Sequence, residues 1–143
     1  MATDPMARLE VFIGTWNTTG EVLETEANPP GNLTATDTYR WLPGRHFIVH
    51  DVDARFDGSP TRSMEVMGFD ASRKRFFTRS YDDQGTTEEF VAALNGRRWT
   101  IEGKTVRFDG SFDLHKRRLS GLWELKVGKG RWQPWINLVL VRA

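Results

Sequence analysis

The sequence predicts an all-β fold, a single up-and-down antiparallel β-barrel of about ten strands, and three observations point to it. Turn signals recur at short intervals, from Asn28-Pro29-Pro30-Gly31 through Pro43-Gly44, Asp57-Gly58-Ser59-Pro60, Asp82-Asp83-Gln84-Gly85 and Asn95-Gly96 to Gly128-Lys129-Gly130, the spacing of a sandwich or barrel rather than of βαβ units. The runs between them alternate apolar and polar residues with period 2, so each strand has one buried face. No long crossing connection separates the runs, and closing a meander into a barrel removes its unpaired edges. At 143 residues the chain has the size of one domain, read as residues 1–143.

Only the first dozen residues look helical. Asp4-Pro5 can cap and start a short turn, and Met6, Leu9, Val11, Phe12 and Ile13 are apolar enough to plug one end of a barrel. Strands are expected around residues 14–25, 33–42, 45–56, 62–70, 75–81, 86–94, 98–102, 105–113, 118–127 and 131–141. In the eighth, Val106, Phe108, Gly110 and Phe112 share a face; in the ninth, Leu119, Gly121, Trp123 and Leu125 do. Asn95-Gly96 predicts a type I′ hairpin, since both residues tolerate positive φ. Pro134 marks the start of the last strand or a bulge in it.

Composition narrows the function. Twenty Lys and Arg against 19 Asp and Glu leave a net charge of +1, too little to attract nucleic acid or an anionic membrane. The absence of cysteine excludes disulfides, thiolate nucleophiles and thiolate metal sites. The opening residues carry neither a signal-peptide pattern nor a membrane-spanning run, so a cytoplasmic protein is expected. Six Trp, nine Phe and two Tyr in a chain only 38% hydrophobic are the compositional anomaly.

Gly14-Thr15-Trp16, following a short apolar helix and opening the first strand, resembles the start of the calycin-like barrels: lipocalins, fatty-acid-binding proteins and nitrobindins. A closer similarity is to the bacterial family DUF1579. It is carried by Trp41-Leu42-Pro43-Gly44-Arg45-His46-Phe47-Ile48-Val49-His50, Met64-Glu65-Val66-Met67-Gly68-Phe69-Asp70, Tyr81-Asp82-Asp83-Gln84-Gly85, Thr87-Glu88-Glu89-Phe90 and Trp132-Gln133-Pro134-Trp135, in order along nearly the whole chain. The resemblance implies a calycin-like barrel and brings no reaction with it. Nitrobindins bind haem through a histidine close to the C-terminus; residues 132–143 contain none, so neither haem nor another cofactor is expected.

His50 is the first candidate for chemistry. On its strand Ile48, Val52, Ala54 and Phe56 share its parity, as does His46, so it should point inward, where an imidazole can act as general base or anchor a polar ligand group. Glu88 shares a parity with Phe90, Ala92 and Leu94, and Glu65 lies with Ser63, Met67 and Phe69; both faces of each strand are mixed, and their orientation stays open. An inward carboxylate needs a partner, and Arg79, on one parity with Phe77 and Tyr81, is its expected counter-ion, so that Glu65, Arg79, Tyr81 and Glu88 form one polar patch. A structural salt-bridge network is the competing reading of that patch. Trp16, Trp41, Trp123 and Trp135 are candidate lining for a flat ligand, with at least two of them expected in core or cap roles. His46 and His50, four apart on a strand, stand roughly 13 Å from each other, too far to share a metal, and no metal site is expected.

Two functions fit. The barrel binds a small hydrophobic or aromatic molecule, with Trp16, Trp41, His50, Glu65, Arg79, Tyr81, Glu88 and Trp135 around it. Alternatively the same cavity catalyses a cofactor-free isomerisation, cyclisation or dehydration, with His50, Glu88 and Tyr81 as acid/base groups. A filled interior, with work done by a surface partner or as a homodimer, is the third reading.

Overall fold

The chain enters the barrel through a 3₁₀ helix, Pro5–Phe12, in a computed structural model that describes residues 4–143; Met1 to Thr3, included in the single-domain reading, lie outside the described residues. The Asp4 carboxylate caps the helix by accepting from the Met6 amide at 3.0 Å, and Pro5 supplies a first position that needs no donor. Met6, Leu9 and Phe12 are buried, so the helix seals one end of the barrel as its apolar residues predicted. Arg142 pins it there, donating to the carbonyls of Ile13 at 2.7 Å and Val11 at 2.6 Å, while Arg8 donates to the Leu94 carbonyl.

Ten strands follow: β1 (Gly14–Val22), β2 (Gly31–Trp41), β3 (Ile48–Phe56), β4 (Ser59–Asp70), β5 (Arg75–Asp82), β6 (Thr87–Asn95), β7 (Arg98–Glu102), β8 (Val106–Phe112), β9 (Arg118–Val127) and β10 (Arg131–Arg142). Each pairs antiparallel with its sequence neighbours, and β1 pairs with β10 from Trp16↔Arg142 to Val22↔Ile136, which closes the barrel. Closure leaves no open edge. The all-β, ten-strand up-and-down barrel with a helical plug is therefore the fold, and the strand positions agree with the sequence reading to within a few residues.

Two local expectations need correction. The hairpin between β6 and β7 pairs Asn95 with Arg98, so its central residues are Gly96 and Arg97, with positive φ (62°) at Gly96 alone. That is the requirement of a type II′ turn, in which glycine takes the first central position. The third strand begins at Ile48 rather than residue 45, because residues 42–47 close a turn: the Leu42 amide donates to the Phe47 carbonyl at 2.9 Å, and Arg45 sits at φ 61°. His46 is thereby exposed in the turn instead of facing inward.

The helix-capped half of the interior is filled by Phe12, Trp16, Trp99, Phe112 and Leu119. Phe12 meets Tyr39, Trp99 and Phe112 at centroid distances of 5.1, 4.9 and 5.1 Å. On one wall Gly110 and Gly121 pair across β8 and β9, and the Phe108 ring occupies the space their side chains would need: a Cβ on Gly121 would stand 2.5 Å from it. This close approach leaves Phe108 against Trp123, centroids 5.2 Å apart. Toward the uncapped end the filling thins.

Candidate functional site

The interior toward that end holds a cavity of about 410 Å³. Its walls include Ala35, Val52, Ala54, Phe90, Ile101, Phe108, Trp123, Ile136 and Leu138, with Phe12 and Leu140 toward the plug and Phe56, Asp82 and Glu88 toward the mouth. A volume of this order fits a small organic ligand.

One wall is polar, and strand register builds it. Tyr39 on β2 pairs with His50 on β3, His50 with Glu65 on β4, Glu65 with Ser80 on β5, and Ser80 with Glu88 on β6. Five side chains thus form one inward row across five strands, since cross-strand partners point to the same face. Asp37, two residues before Tyr39 on the same face, is diagonal to His50, and Thr18 of β1 approaches Asp37 on the next diagonal.

His50 is the centre of this row. Its Nε2 stands 2.6 Å from Asp37 Oδ2 and its Nδ1 2.9 Å from Glu65 Oε1, while the Thr18 hydroxyl donates to Asp37 Oδ1 at 2.5 Å. The Tyr39 ring stacks on the imidazole at 3.9 Å and 12°. Burial alone would lower the His50 pKa; the hydrogen bonds to Asp37 and Glu65 and the field of both carboxylates outweigh it and raise the pKa to about 9. At neutral pH the ring is therefore an imidazolium donating from both nitrogens, a cation that the face of Tyr39 also favours. Burial, then Asp37, then Glu65 push the Tyr39 phenol well above its usual range, keeping it neutral.

The hydrogen bonds leave one acceptor unused. Asp37 spends one oxygen on Thr18 and the other on His50, whereas Glu65 gives only Oε1 to His50, so that among the described residues Oε2 has no protein donor. Among the described residues no three His, Asp or Glu side chains converge on a metal position; the imidazole lies between the two carboxylates.

The expected site residues separate. His50 and Glu65 face inward and bond to each other. Glu88 holds the inward parity near the mouth, exposed, with no ion-pair or hydrogen-bond partner among the described residues. Arg79 is not the counter-ion of Glu65: it points outward, 3.6 Å from Glu89 and with its guanidinium 5.0 Å from the Phe77 ring centroid. Outward aromatics are favoured there because Gly68 leaves a flat spot that the Phe77 ring covers. Tyr81, on Arg79's parity and exposed, borders the rim, so the four-residue patch does not form. Trp135 and Trp123 line the cavity, Trp135 next to a β-bulge between Pro134 and Ile136. Trp16 and Trp41 do not. Trp16 is buried by the plug, donating to the Phe12 carbonyl at 2.8 Å with Arg142 over its ring, and Trp41 donates to Glu10 at 2.6 Å under Arg45. Asp37, Tyr39 and Thr18 were not among the expected site residues; the parity of β2, where Leu33, Ala35, Asp37, Tyr39 and Trp41 alternate, carries the signal for the first two.

Fold and site define a class, a closed up-and-down barrel whose cavity ends on a buried carboxylate–imidazolium–carboxylate cluster. The family described as "Protein of unknown function (DUF1579)" matches residues 2–124, and the chain belongs to it. Among solved structures the barrel is similar to that titled "Crystal Structure of Rv2717c from M. tuberculosis", with a TM-score of 0.72 over 99% of each chain at 16% identity, a likeness of fold. No curated protein matches the sequence. No helix among the described residues is long and apolar enough to cross a membrane.

Proposed function

We propose that the barrel binds a small, largely apolar or aromatic molecule in its interior. The observation that carries this reading is the 410 Å³ cavity, walled by aromatic and aliphatic side chains and bounded on one side by fixed polar groups. Apolar walls supply area, and a few converging polar atoms fix orientation. Trp123, Phe108 and Phe90 provide the first, and the His50 row the second. The acid–base alternative rests on His50, Glu88 and Tyr81; both His50 nitrogens are taken by carboxylates, and Glu88 and Tyr81 stand exposed at the rim, so binding is the reading the geometry supports best.

The test uses N-phenyl-1-naphthylamine, an uncharged probe whose emission rises in apolar surroundings, together with native mass spectrometry of protein purified from its own host. Enhanced emission that is lost in Ala54→Phe, which fills the cavity wall, supports the reading. A folded wild-type protein that neither enhances the probe nor carries a co-purifying mass overturns it.

A further inference from the structure

The cavity is charged in one sense. Of the chain's 20 Lys and Arg, none lines it, whereas Asp37, Glu65, Asp82 and Glu88 all do, against His50 as the single cation among the described residues. The chain as a whole is near neutral at +1, so the acidity is local to the interior. Three of these carboxylates have their charge engaged by groups of the fold. Asp37 is bonded to Thr18 and His50, Glu65 shares His50 through one oxygen, and Asp82 accepts from the amides of Gln84 and Thr86, both at 2.9 Å.

The carboxylates facing the ligand space are acceptors only, beside the neutral hydroxyls of Tyr39, Ser63 and Ser80. His50 cannot present a donor there, because both its N–H groups are spent on Asp37 and Glu65. The unused Glu65 Oε2, on a side chain 17% exposed that lines the cavity, stays open to a donor from the ligand space. Two carboxylates sharing one imidazolium leave that cluster with a net negative charge. Nearer the mouth, Glu88 adds a carboxylate in the same inward row that has no partner among the described residues.

Resting on the binding function just described, we propose that the ligand is an apolar or aromatic amine, bound as its ammonium ion, with the cationic nitrogen donating to Glu65 Oε2 and the apolar body lying against Trp123 and Phe108. An anionic ligand meets a wall of net negative charge, and a neutral alcohol satisfies the acceptor without neutralising the cluster. An ammonium group does both. Glu88 at the mouth favours entry of a cation, since low-dielectric walls concentrate the field of one sign of charge.

Isothermal titration calorimetry of the full chain at neutral pH with three probes of one shape, 1-naphthylmethylamine, 1-naphthylmethanol and 1-naphthoic acid, tests the assignment. A charge-assisted hydrogen bond in a partly buried site predicts that the amine binds roughly 10-fold or more tighter than the alcohol, with the acid weakest. In Glu65→Gln, whose amide oxygen can still accept from His50, the amine-to-alcohol ratio falls toward one; Glu88→Gln slows association of the amine more than that of the alcohol. If the alcohol binds as tightly as the amine, or the ratio survives Glu65→Gln in a variant with the wild-type circular dichroism spectrum, the amine assignment is wrong while interior binding stands. If none of the three probes binds while N-phenyl-1-naphthylamine still does, the amine assignment falls and interior binding stands; if that dye fails as well and no mass co-purifies, both fall.

Discussion

Replacing His50 by leucine removes the one cation between two carboxylates whose side chains are 9% and 17% exposed. Two hydrogen bonds to charged partners are lost, at 2.6 and 2.9 Å, each worth about 1.5–3 kcal/mol, and Asp37 and Glu65 are left facing each other without a counter-charge. Breaking a buried ion pair in this way costs about 3–5 kcal/mol. In a chain of this size that corresponds to a fall in Tm of roughly 6–20 °C. The triple variant Asp37→Leu, His50→Leu, Glu65→Leu behaves differently. It removes the charges together and leaves only the Thr18 hydroxyl without its acceptor, so its cost should be about 1–2 kcal/mol. Urea unfolding followed by tryptophan fluorescence measures both. A single variant within about 1 kcal/mol of wild type, or a triple variant as damaged as the single one, refutes the assignment of His50 as a buried imidazolium.

The same cluster makes stability depend on pH. The His50 pKa rises from 6.5 to about 9 on folding, so its contribution, about 3 kcal/mol, is complete below pH 6.5, declines above it and is gone once pH passes 9; His50→Leu should flatten that stretch of a urea-midpoint profile. The groups facing the imidazole are Asp37, Glu65 and Tyr39, and the raised Tyr39 pKa adds a loss of the same sign only above its ordinary value of 10.0. Thr18→Val keeps the shape but removes the donor to Asp37 Oδ1, and should cost about 1.5–3 kcal/mol in urea unfolding. Gly121→Ala places a Cβ 2.6 Å from the Asp109 carbonyl and the Gly110 Cα, backbone atoms that cannot rotate away; a loss of about 1–3 kcal/mol is expected, with a changed near-ultraviolet signal from Trp123.

Period-2 parity made the strands legible because each has one buried face, and a pattern of that kind survives without knowledge of neighbours. It placed Phe108, Gly110 and Phe112 together, and it carried Asp37 and Tyr39 equally well on β2, where Leu33, Ala35 and Trp41 flank them. Parity does not say which face is inside when both carry aromatics. Phe77 and Tyr81 drew Arg79 inward on paper, whereas register pairs Arg79 with Val66 and Glu89 on the outer surface and sets Ser80 beside Glu65. Nor does parity give depth along the barrel. Trp16 and Trp135 lie at opposite ends of β1 and β10, one under the plug and the other by the cavity, and only the closure of β1 on β10 distinguishes them.

The triple leucine variant also separates what the polar row does for the fold from what it does for a ligand. Buried ionic clusters seldom stabilise a protein more than well-packed apolar residues of similar volume, so stability is a poor account of why Asp37, His50 and Glu65 occupy the wall of this cavity. If the row serves the fold alone, the triple variant should bind naphthylmethylamine and naphthylmethanol in the wild-type ratio. With the row as the ligand's anchor, the variant should remain folded, keep its apolar walls, and favour the neutral alcohol over the ammonium ion. The inversion follows because desolvating an ammonium against leucine has nothing to offset it. Calorimetry with the two probes on a variant of near-native stability decides between these accounts, since a merely structural row has no means of reversing the order.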